Sequence, residues 1–178
     1  MAAALGRDRQ SGREGCAVRE NDKRRPRRRS TTLITLDASV LVAAGAPDDP
    51  ARADASDAID AAISTGLAIH QPTLAFVEVA AAIARRTGDE MLALEAGAAL
   101  GAMPGLVIHP LDLEGSAEAA FLAGRLRLRG ADAIYAAVAY HHETALITLD
   151  EELLARTGSL VDAVTPAVWL ARIREASS

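Results

Sequence analysis

Cysteine is almost missing from the 178 residues. Cys16 stands alone, so no disulfide can close within the chain and no cysteine-built zinc site is possible. A reducing compartment is the natural setting for such a chain. Aromatic residues make up only 3%, which argues against a nucleic-acid binder that stacks bases on exposed rings. No run approaches the roughly eighteen consecutive apolar residues of a membrane span, and no apolar stretch follows the basic start as a secretory signal requires. A soluble cytoplasmic protein is therefore expected. Lysine occurs once, at Lys23. The glycine fingerprints GxxxxGK and GxGxxG do not occur, so phosphate-cradling loops of those kinds are excluded.

Small aliphatic residues are abundant instead. Half of the chain is hydrophobic, mostly Ala, Leu, Val and Ile, enough for a single core at this length. Side chains of that size suit helices laid closely on a sheet. The net charge of -5 conceals two opposed parts. Residues 1–32 hold ten Lys and Arg against four Asp and Glu, leaving nine basic and twenty acidic residues for the remainder. The first part ends in Lys23-Arg24-Arg25-Pro26-Arg27-Arg28-Arg29 and reads as a disordered basic tail. It is either an arm that touches RNA phosphates, an inert extension, or the product of a start placed too far upstream. The acidic body is ill suited to holding RNA by charge alone, unless its carboxylates gather cations that reverse the local field.

From residue 33 the pattern becomes regular. Strands are expected at Leu33–Leu36, Leu67–His70, Leu106–His109, Ala145–Thr148 and Leu160–Val164. Helices are expected at Pro50–Ile63, from Thr73 to Arg86, at Asp89–Ala102, from Asp112 or Ser116 through Arg127, at Ala131–His142, and from Pro166 onward. This alternation predicts a three-layer α/β/α sandwich over residues 33–176, with a central, mostly parallel sheet of four to five strands.

Four acids stand out by context. Asp37 and Asp150 follow short apolar strands, so both belong at the carboxyl rim of a parallel sheet, where ligands collect. Glu78 and Asp132 each sit alone in an apolar helical stretch, where an unpaired carboxylate costs several kcal/mol unless it binds a cation or a partner. Asp132 has a second explanation in the helix dipole of a first turn. Hard oxygen donors with neither cysteine nor clustered histidine point to Mg²⁺ or Mn²⁺. His70, His109, His141 and His142 are expected to be structural or exposed.

Residues 33–170 resemble PIN domains, and in particular the VapC-type toxins of type II toxin–antitoxin pairs. The matching pieces are Leu36-Asp37-Ala38-Ser39, Leu74-Ala75-Phe76-Val77-Glu78-Val79, Leu128-Arg129-Gly130-Ala131-Asp132-Ala133-Ile134-Tyr135-Ala136-Ala137 and Leu146-Ile147-Thr148-Leu149-Asp150. They keep the family's order and its eighteen-residue step from Asp132 to Asp150. The resemblance implies a metal-dependent endoribonuclease that hydrolyses RNA, often transfer or ribosomal RNA, with metal-activated water. It implies an acidic quartet of Asp37, Glu78, Asp132 and Asp150, with Asp37 and Asp132 as principal ligands of Mg²⁺ or Mn²⁺. Ser39 and Thr148 match polar positions that orient carboxylates. A cognate antitoxin and a homodimer are implied as partners. Arg85, Arg86 and Arg129 flank two of the acids, either to contact RNA phosphate or simply as helix-end and loop charges. Tyr135 and Trp169 are expected in the core, with a base contact as the other reading.

Three rivals remain. A haloacid-dehalogenase-like phosphatase needs a second Asp two residues after the first, and position 39 is Ser. A receiver domain needs a lysine after a late strand, and Lys23 lies in the tail. A catalytically weak PIN scaffold that binds RNA or protein would keep the fold without the chemistry.

Overall fold

A computed structural model describes residues 33–158 and 160–176; the basic tail expected at residues 1–32 lies outside them. Five strands form one sheet: β1 (Leu33–Leu36), β2 (Ala68–Pro72), β3 (Leu106–His109), β4 (Ala145–Ile147) and β5 (Ala163–Val164). Their spatial order is β3-β2-β1-β4-β5, and every pairing is parallel. The expectation of four to five mostly parallel strands resolves to five, all parallel.

Among the described residues eight helices cover the two faces: α1 (Ala38–Gly45), α2 (Arg52–Ser64), α3 (Leu74–Thr87), α4 (Glu90–Gly101), α5 (Leu113–Leu126), α6 (Gly130–His141), α7 (Glu151–Thr157) and α8 (Pro166–Ala176). Side-chain alternation along the strands builds two cores. Ile34, Leu36, Ile69, Ala145 and Ile147 pack against Val40 and Ala43 of α1, the alanines of α2, and Trp169 and Leu170 of α8. Leu146 points the other way, into a core shared with α3, α4, α5 and α6. Helix α6 buries Ala133, Tyr135, Ala136, Ala137 and Ala139. Mostly small side chains let its backbone approach the sheet closely.

Two helices escape the sequence reading, and three strands change their bounds, β4 ending at Ile147 rather than Thr148. In α1 the run Ala38-Ser39-Val40-Leu41-Val42-Ala43-Ala44 is nearly all apolar and shows no polar stripe, so periodicity gives no signal. Helix α7 has only seven residues, too few to show a period. The second strand begins and ends later than expected, at Ala68–Pro72, because Gln71 and Pro72 pair with Ile108 and His109 of β3. The buried Gln71 amide also donates to the Leu36 carbonyl at 2.8 Å, fixing the end of β1. The fifth strand shrinks from the expected Leu160–Val164 to Ala163–Val164.

Gly105 turns the chain into β3 with φ +77, and a Cβ there would stand 2.5 Å from the Leu67 carbonyl oxygen. Since Ile69 N–H donates to the Gly105 carbonyl at 2.9 Å, the backbone cannot simply move aside. Gly105→Ala is expected to destabilise the domain by about 1–3 kcal/mol. Gly97→Ala, where no atom lies within 4 Å of the added methyl, should stabilise α4 by about 0.5–1 kcal/mol. Urea denaturation midpoints of the two variants check this opposition.

Candidate functional site

In this strand order the chain leaves β1 toward β2 on one side, and later places β4 on the other. The carboxyl ends of β1 and β4 therefore flank a topological switch point, where open α/β sheets bind ligands. Asp37 follows β1 directly, and its N–H donates to the Ile147 carbonyl at 2.9 Å, sealing the two strand ends together. It is 7% exposed. Its side chain does not cap α1 but turns into the switch point.

Two hydroxyls hold that carboxylate. Ser39 Oγ donates to Asp37 Oδ2 at 2.5 Å, and Thr148 Oγ1 donates to the same oxygen at 2.9 Å. Each hydroxyl in turn accepts a backbone N–H, from Leu149 at 3.1 Å and from Asp150 at 3.0 Å. An accepted N–H commits the hydroxyl proton to the carboxylate, so both chains of bonds point at Asp37. The loop after β4 is thereby locked to the loop after β1. Asp150 stands at the N-cap of α7, where its Oδ1 accepts from Leu153 N–H at 2.8 Å.

Glu78 comes from the second turn of α3 and Asp132 from the first turn of α6; both are half-buried. Burial raises the Glu78 carboxyl above its ordinary value, and the Asp37 charge raises it further, against Tyr135 and Arg85, which lower it. Burial also raises Asp132, followed by the charges of Asp150 and Asp37; Arg129 opposes this, and Glu78 adds to it. The other three acids are thus close enough for their charges to act on Asp132. Tyr135 is three residues after Asp132 and on the same face of α6. It is 1% exposed. Burial and the neighbouring Glu78 push its phenol far above the usual range. Its hydroxyl lies beside Glu78 but makes no hydrogen bond of normal geometry, so the pair is a close contact still open to tightening.

The structure separates the three arginines. Arg85 and Arg129 act electrostatically on Glu78 and Asp132, although Arg129 also pairs with Glu152 at 3.3 Å. Arg86 instead meets Asp49 in the loop between α1 and α2, at 3.3 Å. The histidines depart most from expectation. His70, His109 and His142 come together from β2, β3 and the end of α6, a convergence that three positions scattered along the sequence could not announce. Trp169 is fully buried in the core, as expected.

Four carboxylates at one switch point, Asp37 buried and the other three half-buried, suit a hard divalent cation through oxygen ligands. A family model for the PIN domain matches residues 34–160. The chain belongs to the PIN-domain family. PIN domains are nucleases, and this family works with divalent metal. No curated protein matches the sequence. Among solved structures, the chain is similar to Mycobacterium tuberculosis VapC20, a sarcin–ricin loop cleaving toxin, at 19% identity and TM-score 0.59, covering 72% of this chain and 97% of that one. It is similar to PAE2754 from Pyrobaculum aerophilum at 23% identity and TM-score 0.58, covering 82% and 97%. A third similarity is to VapBC2 from Rickettsia felis bound to a promoter DNA fragment, at 12% identity and TM-score 0.58, covering 75% and 98%. The PIN fold of this chain is common to all three. Among the described residues no helix is long and apolar enough to cross a membrane.

Proposed function

We propose that this PIN domain is an endoribonuclease dependent on Mg²⁺ or Mn²⁺, the toxin of a toxin–antitoxin pair, with Asp37, Glu78, Asp132 and Asp150 as its catalytic and metal-holding quartet. The observation that supports the proposal is that Asp150, Asp37 and Glu78, each from a different element, all act by their charge on Asp132. A divalent cation held there supplies Lewis-acid stabilisation of phosphoryl charge and eases ionisation of water. The chain's own part is to orient and to bind. Ser39 and Thr148 fix the rotamer of Asp37, and the Leu149 and Asp150 N–H groups fix both hydroxyls. Tyr135 is buried next to Glu78 and would orient that carboxylate through its phenol. Arg129 and Arg85 flank the acids where an RNA phosphate would approach. Arg86, engaged with Asp49, is the weaker candidate for that contact.

The toxin reading brings two partners, a cognate antitoxin and a second copy of the chain. Exposed Val77, next to Glu78 on α3, and exposed Met91 and Leu94 on α4 provide apolar surface for such contacts. A transfer or ribosomal RNA is the proposed substrate and the cytoplasm the proposed setting.

The test is cleavage of a structured RNA by the purified full chain with Mg²⁺ or Mn²⁺, repeated in EDTA and with Asp37→Ala and Asp132→Ala. Metal-dependent cutting by the unaltered chain, lost in both folded variants, is the expected result. Equal cutting in EDTA would sink the metal mechanism. RNA binding without any cutting would favour the inactive scaffold.

A further inference from the structure

At the other end of α6 from Asp132 lies a second cluster. Ten residues of helix separate Asp132 from His142, an axial distance of about 15 Å. Here His70 Nδ1 and His109 Nε2 stand 3.0 Å apart. The His142 ring lies with its centroid 3.9 Å from that of His109 and 4.8 Å from that of His70. One ring nitrogen from each of the three falls within 4.8 Å of the others.

We propose that His70, His109 and His142 form a second metal site, separate from the carboxylates, which binds Zn²⁺ or a similar borderline cation through three imidazoles. Nitrogen ligands at tetrahedral zinc stand about 3.4 Å apart. The His70–His109 pair is already inside that spacing, and the third nitrogen closes the gap by side-chain rotation. Three imidazoles and no carboxylate in the inner set select zinc, copper or nickel over magnesium. Burial and mutual repulsion lower all three histidines below their ordinary value, His142 to about 4, which leaves their lone pairs free to bind at neutral pH.

The surroundings suit an open coordination position. A cleft of about 220 Å³ adjoins the cluster, lined by His109, His142, His141, Asp112 and Glu118 among others. None of the four catalytic acids lines it. His141 Nδ1 lies 3.2 Å from Glu118, holding α5 against the end of α6 beside the site. Bound metal would pin the β2–β3 side of the sheet to the C-terminal end of the helix whose first turn carries Asp132. The site is thereby a stabilising clip, and it needs no catalytic activity to be detected.

Isothermal titration of metal-free, tag-free full chain with Zn²⁺ tests this. With the carboxylate quartet held by a large excess of Mg²⁺, one zinc per chain is expected at the histidines, unchanged in Asp132→Asn and weakened by more than about 100-fold in His109→Gln, beyond the loss that outer ligand partners usually cause. Zinc at about a hundred times its Kd should raise Tm by about 5–10 °C, and not in His109→Gln. Cobalt(II) provides a second readout, since tetrahedral ligation gives visible absorption bands. His142→Gln, at the helix end, serves if His109→Gln does not fold. No binding to the unaltered chain would overturn the proposal, leaving a plain histidine hydrogen bond. Binding lost in Asp132→Asn, or retained in both histidine variants, would overturn it equally.

Discussion

Asp132→Asn should cut RNA cleavage by about 10³-fold, on the upper scale of single electrostatic groups in active sites, and yet make the metal-free protein more stable at pH 7. Two influences compete at this position. An acid in the first turn of α6 gains from the helix dipole. Burial, and the charges of Asp150 and Asp37, work against ionisation and win, since the folded carboxyl titrates above its ordinary 3.8. A carboxyl raised in the fold favours folding fully below its unfolded pKa, and that contribution is lost as pH rises through the folded value. At neutral pH the metal-free pocket therefore carries the whole penalty of an ionised Asp132. Asparagine removes it. In EDTA the variant should melt above the unaltered protein at pH 7, and the difference should shrink as pH falls toward 4. Saturating Mg²⁺ should reverse the order, because only the intact quartet gains binding energy. A variant less stable than its parent in EDTA at pH 7 would show that Asp132 is a capping residue first.

Trp169→Ala should be the most damaging single change in the sheet's α2–α8 core. The indole is fully buried among Ile34, Ile147 and the alanines of α2, and such truncations cost about 3–5 kcal/mol against a typical total of 5–15 kcal/mol. That corresponds to a fall in Tm of about 6–20 °C. Its Nε1 has no hydrogen-bond partner among the described residues, so Trp169→Phe surrenders volume alone and should cost far less. As the only tryptophan, it also reports its own environment. Emission from the unaltered protein should be blue-shifted when folded and move red in urea. Equal midpoints for the Ala and Phe variants would mean that packing volume is not what matters there.

The strands were legible because each is a short apolar run closed by a turn residue or an acid. Leu33–Leu36 and Leu106–His109 match residue for residue. Helix α1 was not legible because it is covered on most sides, and a helix with no wet face has no period to read. The register of β2 depends on Gln71 and Pro72 finding partners in β3, a tertiary fact that no local window holds. At the site, lone acids in apolar surroundings were a strong signal, and the structure draws Asp37, Glu78, Asp132 and Asp150 to one place. The hydroxyl positions 39 and 148 came from the family resemblance, and their bonds to Asp37 Oδ2 supply a physical reason for them. Tyr135 was read as a core residue or a base contact, although its three-residue spacing from Asp132 hinted at a shared face. Arg85 and Arg86 could not be told apart in sequence. One turns toward Glu78 and the other to Asp49, because adjacent helical residues point about 100° apart.

The brace on Asp37 has a further consequence for synthesis. Thr148 lies 111 residues beyond the carboxylate it holds, and β4, one of the two strands beside β1, is likewise made late. A nascent chain interrupted before Thr148 would already contain three of the four acids, yet it would lack the locked loop that aims Asp37. Truncated products of a stalled ribosome would then be inert, and cutting power would arrive only when nearly the whole domain has emerged.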